Sequence, residues 1–158
     1  MTVPGNRIRW QNSAWRVRQR RRQLARHGKL LSPMQFCEQK GISRDRLLEL
    51  ERRGKVFAVV VDQKRYFPAV LADNSLDQRR LGKLLRRLPS AMPPMSKYLF
   101  LGGRRGSLAD KSPLQATRRG KRYRVALRLA ESIASEYGHI EERLKSVEVA
   151  VKVDIDDL

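Results

Sequence analysis

Acidic residues are scarce and cysteine and histidine rarer still: 16 Asp and Glu stand against 35 Lys and Arg, with one Cys and two His in 158 residues. A lone Cys37 forms no internal disulfide and suits a reducing compartment. His27 and His139 do not fall at metal-ligand spacing with Cys37 or with carboxylates, so no metal site is expected. The carboxylates Asp154, Asp156 and Asp157 read as a solvated acidic end. No apolar stretch approaches the roughly 20 residues of a membrane span, and no apolar core of a secretory signal follows the N-terminal arginines. The expected location is cytoplasmic. No nucleophile elbow, P-loop or dinucleotide fingerprint is present, so neither enzyme activity nor a cofactor is expected.

What the chain has in excess is cation, a net +19 with a pI near 11.2. Such an imbalance resists compaction by self-repulsion, and a polyanion is its usual neutraliser. The charge is also segregated. Residues 1–37 hold nine basic residues and no acid, 38–78 eight and seven, 79–124 fourteen and one, and 125–158 four and eight. Two cationic blocks therefore flank a balanced segment, which points to nucleic acid as the partner.

Residues 7–27 can form a helix with Ile8, Trp15 and Leu24 as sparse apolar anchors. Arg16, Arg18, Arg20, Arg21 and Arg22 crowd it with like charge, which destabilises an isolated helix. It reads as an arm ordered by phosphates or as a solvated helix. Ser32-Pro33 then supplies an N-cap and first-turn proline. Small Cys37, Gly41, Leu47 and Leu50 follow in the order a helix-turn-helix requires: close crossing, left-handed turn, apolar filling. Ser43 caps the second helix and, at the edge of its outward face, is also a candidate nucleic-acid contact; Gly54 ends the helix. Arg44 and Arg46 in its first turn are placed to reach guanine edges, and Arg52 and Arg53 to reach phosphate.

Val56–Val61 reads as a strand, Asp62-Gln63 as a turn and Lys64–Phe67 as the returning strand, stopped by Pro68. This hairpin is either a wing, with Lys64 and Arg65 on phosphate, or a cover for the core. Residues 75–88 form an amphipathic helix, and a short helix follows at 95–101. Gly102–Gly106 is a basic loop bearing Arg104 and Arg105. Ser112-Pro113 repeats the cap-and-proline start, and a helix over 121–137 follows a cationic run of Arg118, Arg119, Lys121 and Arg122. Val147, Val149, Val151, Val153 and Ile155 alternate as on one face of a terminal strand.

Lys64-Arg65-Tyr66-Phe67-Pro68-Ala69, and Leu108–Ala116 followed by Val125-Ala126, resemble two stretches of Xre-type antitoxins paired with RES-domain toxins. The likeness spans about residues 32–134. It implies an all-helical dimer that represses its own operon and neutralises a toxin through C-terminal residues. Ala109 stands where that family usually has glycine.

The expected architecture is mainly α: a basic arm or helix (1–31), a helix-turn-helix with β-hairpin (32–72), a small helical bundle (73–137) and an acidic tail with a terminal strand (138–158). The expected function is that of a non-enzymatic DNA-binding regulator of antitoxin-like type, forming a homodimer. A sequence-neutral DNA- or RNA-binding subunit and a toxin-neutralising antitoxin, with a protein partner at the C-terminal domain and tail, are the alternatives.

Overall fold

The computed structural model describes the backbone of residues 4–156 and the side chains of residues 14–145. The chain is mainly helical and divides into two compact units, Met1–Ser75 and Leu76–Leu158. The apolar anchor Ile8 lies outside the described side chains.

The first unit comprises α1 (Pro4–Arg26), β1 (Leu30–Leu31), α2 (Pro33–Lys40), α3 (Arg44–Arg52), β2 (Val59–Val61) and β3 (Lys64–Pro68). Its three-stranded antiparallel sheet has the order β1-β3-β2. Leu31 lies opposite Phe67, and Val59 opposite Tyr66. Gly28 turns α1 into β1 at φ 69°, with Lys29 N–H returned to the Leu24 carbonyl at 2.8 Å. The core forms where α2 and α3 meet the sheet. Phe36, Leu47, Val59, Phe67 and Leu71 are almost wholly buried, and the Phe36 and Phe67 rings lie 5.4 Å apart. Burying each such side chain contributes roughly 1.5–3 kcal/mol.

The sheet differs from the expected hairpin in two ways. Residues 56–58 precede β2 without joining it, and β1 adds a third strand. Two residues between a glycine and a proline-led helix carry no alternation, so β1 has no sequence signature of its own.

The second unit holds α4 (Gln78–Arg87), α5 (Pro94–Gly102), α6 (Pro113–Ala116) and α7 (Gly120–Asp156). Leu81, Leu84 and Leu85 of α4, Phe100 and Leu101 of α5, and Leu108 are buried. They close on Ala126 and Ala130 of α7, both at 0% exposure, where the missing bulk allows close helix approach. Ser112 caps α6 by accepting from Gln115 N–H at 3.2 Å while the Gln115 side chain returns to Ser112 N–H at 3.1 Å. Ser32 and Gln35 make the same reciprocal pair at α2.

The terminal strand is corrected: residues 147–155 continue α7 as helix. A helix already nucleated at Gly120 extends at a cost of only tenths of a kcal/mol per β-branched residue. A lone strand has no ladder to join, so local alternation loses to continuation.

Candidate nucleic-acid interface

The helix-turn-helix is built by caps. Gly41 sits at φ 75° and ψ 39°, and its N–H reaches the Cys37 carbonyl at 2.8 Å. Ser43 accepts from Arg46 N–H at 3.2 Å and starts α3. Cys37 Sγ lies 3.7 Å from the Ser43 carbonyl oxygen, so the small side chain sits at the helix crossing. Gly54 at φ 72° closes α3, with Lys55 N–H donating to the Leu50 carbonyl and Gly54 N–H to Glu51.

Leu47 and Leu50 turn inward and the α3 arginines turn outward, yet these arginines are not equivalent. Glu49 accepts from Arg46 at 2.9 Å and pairs with Arg53 at 2.8 Å. Those two cations, with a smaller electrostatic contribution from Arg52, hold its carboxyl below the usual range, the Arg46 hydrogen bond contributing most. Arg44 and Arg52 have no ion partner among the described residues. With Leu48, 52% exposed, they form a line at four-residue spacing along one face. Sequence spacing put Arg44 and Arg46 together, but the structure separates a cation without an ion partner from one paired with Glu49. The i,i+3 and i,i+4 placement of Glu49 was the signal for this.

An open cleft of about 450 Å³ separates this face from the hairpin. Arg44, Leu47 and Leu48 form one wall, Lys64, Arg65, Tyr66 and Phe67 the other, with Ser32 and Pro33 between. Arg65 is drawn onto Glu51 and over the Phe67 ring at 5.7 Å, whereas Lys64 is exposed and unpaired among the described residues. The hairpin turns without glycine, with Asp62 at φ 49° and Gln63 at φ 66°. Both values belong to the left-handed turn that matches strand twist.

Asp62 also fixes the arm. The Arg22 guanidinium grips its carboxylate through three contacts of 2.9–3.1 Å. That hydrogen bonding holds the Asp62 carboxyl below its usual range and raises the guanidinium above its own. Arg21 reaches toward the Val60 carbonyl at 3.5 Å. The C-terminal part of α1 is thus docked on the hairpin; Arg16, Arg18 and Arg20 are exposed, Arg18 lining an open cleft beside Asp62. Trp15 is 61% exposed.

In the second unit, Arg104, Arg118, Arg119 and Lys121 are exposed, Arg122 is half-buried, and the first turn of α7 has no acidic residue. The positive end of the helix dipole adds to that cationic run. Arg105 is half-buried over the Phe100 ring at 5.1 Å and pairs through its backbone with Lys111. Arg80, which the pattern of charge alone did not single out, donates to the Thr117 carbonyl at 2.9 Å and stacks on Tyr123 at 5.2 Å. Among the described residues no helix is long and apolar enough to cross a membrane, and no group of three or more His, Cys, Asp or Glu gathers for a metal.

Comparison with family models, with curated proteins and with solved structures finds no match to this chain.

Proposed function

We propose that the chain is a sequence-specific double-stranded DNA-binding protein, a transcriptional regulator whose α3 enters the major groove. One observation carries the reading: the unpaired line Arg44–Leu48–Arg52 stands on the second helix of a helix-turn-helix, across a cleft from unpaired Lys64. Arg44, in the first turn, presents a guanidinium able to bond guanine O6 and N7 together. Leu48, one turn on and about 6 Å along the axis, offers an apolar surface to a thymine methyl group about two base steps away. Arg52 and Lys64 take phosphates on either side, which sets register without reading sequence. Arg46 and Arg53, both engaged by the single Glu49 carboxylate, stiffen the helix.

The cations away from α3 favour a second reading, that of a sequence-neutral nucleic-acid subunit. Arg16, Arg18, Arg20, Arg118, Arg119 and Lys121 are all exposed and stand on elements other than α3. One experiment separates the two. Labelled fragments of the gene's own upstream region compete against random duplex across a salt series. A regulator keeps a preferred fragment that random duplex displaces only at large excess. Equal competition at every salt concentration removes the regulator reading in favour of the neutral one.

A further inference from the structure

Every described residue from Gly138 to Lys145 on α7 is exposed, yet Ile140 and Leu144 are large and apolar, 53% and 59% exposed. They continue a line begun by half-buried Ile133 and Tyr137, and the sequence carries it on through Val147 and Val151. The steps between these six positions are 4, 3, 4, 3 and 4 residues, an average near the 3.5 of a coiled-coil seam. The segment also contains Gly138 and valines at 147, 149, 151 and 153, all poor helix formers. A helix of that composition, exposed over its described residues 138–145, is not self-supporting in water. It needs a cover along the seam.

We infer that the cover is the same helix of a second copy of this chain, in a parallel two-stranded coiled coil. Tyr137, Leu144 and Val151 take the a positions, and Ile133, Ile140 and Val147 the d positions. Asp154, the next d position, ends the seam. The flanking charges choose this arrangement. In the parallel pair Arg143 at g faces Glu148 at e of the second copy and Glu136 at g faces Glu141 at e, each pairing made twice by symmetry, so attraction and repulsion balance. An antiparallel pair spanning the same six layers sets Arg143 beside Arg143 and Glu141 beside Glu141, with no opposite-sign pair. The antiparallel register that brings Glu136 to Arg143 would run the seam over Ala126 and Ala130. Both of these are fully buried in their own core. The proposal does not depend on DNA binding, and either property can fail without the other.

The test is sedimentation velocity of the full chain over a concentration series. A monomer–dimer equilibrium is expected. Ile140→Glu together with Leu144→Glu should raise the dissociation constant on the order of a hundredfold or more, since like charges would be buried at facing positions. Glu142→Ala, at an outward f position, should change nothing, and thermal unfolding of each variant checks that the core is intact. In a Cys37→Ala background, Leu144→Cys should form a disulfide-linked dimer on mild oxidation, and Glu142→Cys should not. A monomer at all concentrations, or a dimer indifferent to the double substitution, overturns the proposal. So does a monomer that retains a different protein through this stripe. A charge-sensitive dimer that fails to cross-link at 144 overturns the parallel arrangement.

Discussion

At the scale of single residues, the three arginines of α3 and Arg53 at its C-cap divide by what Glu49 has already taken. Arg44→Ala should weaken operator binding by about 1–3 kcal/mol in discrimination, roughly ten- to a hundredfold, and relax preference at one guanine. Arg46→Ala should leave that preference in place, because its guanidinium is already engaged. Quantitative footprinting with single base substitutions checks both. For Leu48, replacing thymine by deoxyuracil in the site should weaken wild-type binding and leave Leu48→Ala indifferent. An unchanged penalty in the variant would remove Leu48 from the reading face.

Asp62 gives a residue-scale prediction in pH. Its folded carboxyl lies below the unfolded value of about 3.9. The Arg22 grip therefore contributes stability above that value and loses it as pH falls through the folded pKa. Asp62→Asn should lower the thermal midpoint near neutral pH, and the difference from wild type should shrink toward zero in strong acid. Both groups are exposed, so the shift is small and falls further with added salt.

At the scale of elements, the caps were the legible part. Ser32-Pro33, Gly41, Ser43 and Ser112-Pro113 each fixed a boundary before any tertiary contact was considered, because their chemistry is local. Ser32→Ala should cost about 0.5–2 kcal/mol through loss of its bond to Gln35 N–H. Gly41→Ala meets no atom within 4 Å, so its cost is backbone strain alone, about 1–2 kcal/mol. Chemical denaturation measures both. Elements decided by distant partners were not legible. β1 exists only because β3 lies beside Leu30 and Leu31, and the valine alternation at 147–155 yielded to the helix already running from Gly120. The same holds for the candidate site: the cationic residues could be read from the sequence, but their pairings across 40 positions, as between Arg22 and Asp62, could not.

For the whole molecule, the proposed DNA binding makes the number of phosphates met at once the governing quantity. Six to ten contacts would reduce affinity by about 10³–10⁵ between 50 and 200 mM salt. The slope of log affinity against log salt should fall by roughly one for each phosphate-bound cation removed. Arg52→Ala and Lys64→Ala should each show that loss with sequence preference intact. A slope unaltered by either change would place both side chains off the backbone.

Two tight corners of the fold are turned by residues with side chains where glycine is the easier choice: Gln63 at φ 66° in the hairpin, and Ala109 at φ 53° before α6. Each of these corners therefore holds backbone strain that glycine would release. Exchanging either residue for glycine trades backbone strain against a more mobile unfolded chain, and where the strain is the larger the melting temperature rises by a few degrees. Neither exchange removes a cation, so a hardier form of the protein should keep whatever grip on polyanions the native one has.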